Sequence, residues 1–381
     1  MPYWVSRAQR RVGVGACAVI AIISLTASAQ ASTKSEQVPP APVVTEPLDR
    51  PALIGPFVPE GVFLDVTRAG DRLVAVGERG DIMLSDDNGN TWRQVEVPTS
   101  VSLTAVQFID DKIGWAVGHS GIVLHSTDGG ETWVRQFDGT QAAALAHDKA
   151  QADADANPDS EDAKAYLENA NYLVSDGPDK PFLDMYFSDA NNGFIVGAYG
   201  LFFRTHDGGK TWIPWLSHAA NPGARHLTAI AAKGNMIYLA GEQGLFSRSR
   251  DGGETFEVLP TPYRGAFFDV QIMPNDDVMV LGLRGSAYLS SDQGATFKQA
   301  DNPMRTSIVS SMISANGTLY IVNQAGLVLS STDAGASFKV FDTPQGPPIV
   351  ALAEAADGSL IAATFHGVQR LPMGQSQKAG E

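Results

Sequence analysis

Residues 126–133 read STDGGETW, and close copies follow: THDGGKTW at 205–212, SRDGGETF at 249–256, SSDQGATF at 290–297 and STDAGASF at 331–338. A looser copy, SDDNGNTW, precedes them at 85–92. All six fit Ser/Thr-x-Asp-x-Gly-x-Thr/Ser-aromatic. Their closing aromatics, Trp92, Trp133, Trp212, Phe256, Phe297 and Phe338, are spaced by 41, 79, 44, 41 and 41 residues. A period near 40 built of short strands is the signature of propeller blades, each a four-stranded sheet. The one gap of nearly double length marks an insertion.

The flanks of the octets agree. An apolar strand follows each aromatic after about ten residues (SLTAVQF, FLDMYF, HLTAIAA, AFFDVQI, SIVSSMI, PIVALAE), and GVFLDV stands ahead of the first octet. Seven such innermost strands predict seven blades. A second β-branched run then ends in a glycine turn, as in VAVGERG and WAVGHSG, and a third runs into the octet. The expected fold is therefore an all-β, seven-bladed propeller of four-stranded blades over 51–371. The last repeat has three strands and no octet, so the stretch around PALIGPF at 51–57 is expected to supply its outer strand and close the ring, a six-bladed ring with a loose terminal sheet being the alternative.

The octets are expected to be staples. Asp87, Asp128, Asp207, Asp251, Asp292 and Asp333 would each accept backbone N–H groups of their own turn, while the aromatic buries apolar surface. Six copies on six blades cannot all be one active site.

The N-terminus reads as an export signal over 1–31. Arg7, Arg10 and Arg11 precede a short apolar run, and Ala27-Ser28-Ala29 or Ala29-Gln30-Ala31 offers a cleavage site. A retained anchor and a twin-arginine signal are the alternatives, but the run is short and the residues beside Arg10-Arg11 fit the second poorly. A polar, proline-rich linker is expected over 32–50 and a polar tail over 372–381. Cleavage removes Cys17, the sole cysteine, so disulfides, thiolate metal sites and cysteine nucleophiles drop out. It also moves the net charge from −15 to −18, with 24 basic against 42 acidic residues, which disfavours nucleic acid and anionic lipid as partners. The reading is of a periplasmic monomer with no cofactor and no metal.

The octets resemble the Asp-box (BNR) repeats of sialidase-like propellers. A closer resemblance is to the photosystem II assembly and stability factors and their bacterial relatives. It rests on a Val-Gly turn, a second glycine three residues on, an apolar strand and the octet, best kept at 76–92, 117–133 and 196–212. The resemblance implies a non-enzymatic exported propeller that helps assemble or stabilise a membrane protein or envelope complex. A carbohydrate-active propeller, glycosidase or glycan binder, is the alternative. Against it, the Phe/Tyr-Arg-Ile/Leu-Pro motif of sialidases has no counterpart in GPFVPEGVFLDV at 55–66. Asp65, Asp184 and Asp269 recur at one place on three inner strands, either as a catalytic or cation-binding set or as backbone acceptors.

Binding is expected at the turns between second and third strands, which ring one mouth of the channel and differ from blade to blade. Arg79, His119, Tyr199, Gln243, Arg284 and His366 would make a basic and aromatic rim there, unless they are simply solvated turn residues. The insertion over 138–180 is alanine-rich, acidic and broken at Asn157-Pro158, which predicts a helical hairpin capped at Ser160. Tyr166, Leu167, Leu173 and Val174 are its expected apolar face, used either as a flap or for docking a partner.

Overall fold

A computed structural model describes residues 45–343 and 346–372. The expected signal over 1–31, most of the linker and nearly all of the tail lie outside them. Seven antiparallel sheets follow one another along the chain, six of four strands and the last of three. Blade 1 is typical: Phe63–Ala69 innermost, then Arg72–Gly77, Ile82–Ser85 and the short outer Arg93–Gln94. Each innermost strand packs beside the next, and that of blade 7 (Ile349–Glu354) packs back on blade 1, so the ring closes. The alternation is legible in burial: second strands, covered by neighbouring blades on both faces, are buried along nearly their whole length.

The octets are staples in atomic detail. In the second, Gly130 N–H donates to Ser126 Oγ (2.9 Å), Ser126 Oγ–H to Asp128 Oδ1 (2.9 Å), and Thr132 N–H and Oγ1–H to the two Asp128 oxygens (2.9 and 2.6 Å). The same network surrounds Asp87, Asp207, Asp251, Asp292 and Asp333. Each closing aromatic fills the seam with the preceding blade: Trp133 packs among Val74, Ile82 and Leu84 of blade 1.

Ring closure differs from the expectation in one respect. Residues 51–57 form no strand, and blade 7 has three strands among the described residues. The N-terminal stretch instead lies along blades 1 and 2, where Ala52 N–H donates to Val97 O (3.0 Å), and Arg135 donates to Leu48 O (3.0 Å) and Asp49 (2.9 Å). The seam is shut by the device used at the other blades. Trp92 of the first octet packs against Ala353 and Ile361 of blade 7, and Arg370 donates to Asn88 O (2.7 Å).

The insertion between blades 2 and 3 is an antiparallel hairpin of α1 (Gly139–Ala156) and α2 (Glu161–Asp176). Asp138 and Gln141 form a capping box on α1, and Ser160 caps α2 as expected. Alanines at 142, 146 and 150 make a smooth buried stripe on α1. The inward face of α2 is Ala163, Tyr166, Ala170 and Leu173, and Val174 is 52% exposed. Tyr166 and Leu173 are on the expected face, but Ala163 and Ala170 rather than Leu167 and Val174 complete it, because small alanines mark the close contact. The hairpin is pinned to the loop entering blade 4: Asn221 N–H donates to Tyr166 Oη (2.9 Å) and Asn169 to Pro222 O (3.0 Å).

Candidate functional site

The turns between second and third strands are built alike in blades 1 to 5. A glycine ends the second strand and the next N–H donates to the carbonyl that opens the inner strand of the same blade. Examples are Glu78 to Val62 O (2.9 Å), His119 to Ser102 O (2.9 Å) and Ala198 to Pro181 O (3.0 Å). The residue after that is left-handed: Arg79, Ser120, Tyr199, Gln243 and Arg284, with φ of 55 to 60°. This geometry costs a non-glycine residue about 1 kcal/mol and sets these positions out on the rim. Arg79, Tyr199, Gln243, Arg284 and, in blade 7, His366 are all exposed there, as is His119. In blade 2, however, the position equivalent to Arg79 is Ser120, and His119 matches Glu78 one place earlier.

Three further arginines reach this rim from loops that the repeat pattern does not flag. The chain entering each blade runs beside the turn of the blade before. Ala224 lies against Gly200, Tyr263 O against Gly244, and Arg305 Cα against Gly285. These loops carry Arg225, Arg264 and Arg305, which with Arg284 make a cationic arc over blades 3 to 6. Among the described residues none of the four takes part in an ion pair. On a chain of net charge −15, a cluster of uncompensated guanidinium groups is a pronounced local exception. Tyr199 sits at one end of the arc. Lys180 lies 4.8 Å over its ring, His226 Nδ1 accepts its N–H (3.0 Å), and Glu242 is 3.5 Å from His226.

Below the mouth the inner strands each carry a one-residue bulge, at Leu64, Thr104, Leu183, Thr228, Phe268, Val309 and Val350. The residues after the bulge read Asp65, Ala105, Asp184, Ala229, Asp269, Ser310 and Ala351. The three aspartates stitch their own blade to the next. Val66 and Val106 N–H donate to Asp65 (both 2.8 Å), and Met185 and Ile230 N–H to Asp184 (both 2.8 Å). Asp269 accepts from Val270 and Ser311. At alternate seams the bulge threonine takes over, with Thr104 donating to Phe182 O (2.8 Å) and Thr228 to Phe267 O (2.7 Å). The three carboxylates are thus each held by N–H donors at a seam of the ring, while their charges still raise one another's pKa across the channel.

Burial in the ring pushes Asp65 up to about 7, Asp184 to about 8 and Asp269 to about 6, against the pull of their N–H donors. The folded chain therefore holds protons that the unfolded chain has already released above pH 4. That contribution is complete below about pH 4 and is lost as pH rises through 6 to 8. Hydrogen bonds hold the octet acids such as Asp87 and Asp292 down near 2, so their contribution is lost in the opposite direction, in strong acid. Stability should fall from pH 5 to 8, and Asp184→Ala should flatten that slope by about 1.4 kcal/mol per pH unit. Urea midpoints across the range test this, and an unchanged slope in the variant refutes it.

Comparison with known proteins places this architecture. The sequence pattern of the photosynthesis system II assembly factor YCF48 family matches residues 60–148 and 172–264, breaking inside the helical hairpin. Over those residues, just under half of its length, the chain is similar to that photosystem II assembly factor family. It is 26% identical over 148 residues to the photosystem II assembly lipoprotein Ycf48 of Synechococcus sp. (strain CC9902), covering 38% of this chain and 34% of that protein. Over 47 residues it is 47% identical to the chloroplastic stability/assembly factor HCF136 of Cyanidioschyzon merolae, 12% of this chain and 11% of that one. The aligned stretches span about a third or less of these relatives' length. Among solved structures, YCF48 bound to D1 peptide superposes with a TM-score of 0.58 at 15% identity, over 85% of this chain and 99% of that one. The WD40 propeller of Doa1 gives 0.57 at 11%, over 87% and 98%, which shows that the likeness is one of fold.

Proposed function

We propose that this propeller is an exported, non-catalytic assembly or stability factor. Its arginine-lined mouth captures an anionic polypeptide segment of a membrane protein or envelope complex. The observation that carries the reading is the arc of Arg225, Arg264, Arg284 and Arg305, unpaired among the described residues on an otherwise acidic chain, with Arg79 and Tyr199 on the same rim. Guanidinium groups pair with carboxylates bidentately, and arginine and tyrosine are the residues most often decisive in protein recognition. The peptide-bound YCF48 structure and the assembly-factor names of the relatives support the same class of role. Export to the periplasm rests on the signal-like residues 1–31 and on a relative that is named a lipoprotein. No helix among the described residues is long and apolar enough to cross a membrane.

The test is a crosslinking pull-down from the native envelope fraction with the wild type, Arg79→Ala/Arg284→Ala and Arg264→Ala/Arg305→Ala. One membrane protein should be captured by the wild type and fall about tenfold or more in each double variant, with capture weakening in salt. Capture unaffected by both variants would place recognition elsewhere.

A further inference from the structure

The helical hairpin lies outside the matched family pattern over 149–171 and carries a surface of opposite character to the mouth. Between the start of α1 and the end of α2 runs an open groove of about 300 Å³, lined by Thr140, Ala143, Ala144, His147, Leu173 and Val174 among others. Val174, 52% exposed, stands on its α2 wall, and exposed Ala144 on its α1 wall. Single exposed apolar residues need no explanation, but several around one concave apolar floor do.

The charge of the hairpin is lopsided. Residues 138–180 hold ten Asp and Glu against three Lys. Each lysine is spent within the hairpin: Lys149 on Asp153, Lys164 on Glu161, and Lys180 on Asp176 and Asp179. Asp148, on the groove wall, has only His147, at 3.6 Å, and toward the hairpin's far end Asp155, Asp159, Asp162 and Glu168 have no cationic partner among the described residues. An anionic membrane surface would be repelled, and an acidic peptide that suits the mouth would not suit this face.

We infer that the hairpin groove docks a cationic amphipathic helix of a partner protein, its apolar stripe on Ala144, Leu173 and Val174 and its lysines or arginines against the surrounding acids. A helix fits because the groove runs between two packed helices and its small alanine floor admits close approach, the usual way an amphipathic helix is read. The groove adjoins the blade 2 mouth turn at Gly121 but shares no lining residue with the mouth arginines, so the two sets of variants test them independently.

Fluorescence anisotropy on the full chain tests this with a labelled Leu/Lys peptide of helical period. Its comparators are a Leu/Glu counterpart and a Leu/Lys isomer of strictly alternating order. The helical-period Leu/Lys peptide alone should bind, more weakly as salt rises. Ala144→Gln/Val174→Asn should weaken it about tenfold by spoiling the groove without changing charge, and Asp148→Asn/Glu168→Gln should weaken it by reducing attraction. All four positions are exposed, so the fold should be retained, and Arg79→Ala/Arg284→Ala should bind as the wild type does. Absence of binding, equal binding of either comparator peptide, or indifference to the groove variant overturns the inference.

Discussion

Gly77→Ala is expected to cost about 3 kcal/mol or more and to lower the urea midpoint without changing the m-value. The reason is contact, not backbone angle, since Gly77 has an extended φ of −157° that any residue adopts. A β-carbon there would stand 2.1 Å from Val62 O, the carbonyl that must accept the Glu78 N–H to hold the mouth turn. The same collision, at 2.1 to 2.3 Å, awaits Gly118, Gly197, Gly241 and Gly282. Gly317 is the control: its φ is +84° but nothing lies within 4 Å of its missing β-carbon, so Gly317→Ala should cost only about 1 kcal/mol. Equal losses in the two variants would refute the close-approach account. Blades 6 and 7 carry Asn323 and Thr364 at this position and build different turns. Asn323 Oδ1 accepts from Ala325 and Leu327 N–H, and Thr364 Oγ1 donates to Gly367 O.

Trp115→Ala should be as damaging, about 3–5 kcal/mol. Trp115 is fully buried on the second strand of blade 2, stacked at 3.6 Å between ring centroids on Phe187 of blade 3. Its indole N–H donates to Gly208 O within the third octet (3.2 Å). One side chain therefore joins the hydrophobic seam between two blades to the staple of the second. Trp115→Phe keeps most of the stacking and loses the hydrogen bond, for a cost of about 1–2 kcal/mol. Both variants are to be read by denaturant unfolding followed by near-ultraviolet circular dichroism. A Trp115→Ala loss below 1 kcal/mol would mean that the blades repack across the gap.

The blade count, the octet networks and the hairpin with its Ser160 cap were legible because each is specified within one repeat. The octet closes its hydrogen bonds among eight consecutive residues, so Asp128 needs nothing distant to be read. The same holds for the mouth turns that display Arg79 and Arg284. What was missed depends on distance along the chain. No local signal says that Arg225, Arg264 and Arg305 border the turns of the blades before them, because their loops differ in length and carry no repeat. That Ala163 and Ala170 rather than Leu167 and Val174 complete the inward face of α2 turned on alanines, whose burial depends on what packs against them.

By itself, then, the sequence determined the period, the number of blades, the staples and the place of the insertion, since these arise from hydrogen bonds and apolar alternation over a few residues. Only the tertiary structure decided the rest: that Trp92 and Arg370 shut the seam while residues 51–57 lie elsewhere, that three aspartates each bridge two blades, and that four arginines form one arc. Those features join residues far apart in the chain, and such contacts exist only once the ring has brought neighbouring blades within reach of a single side chain.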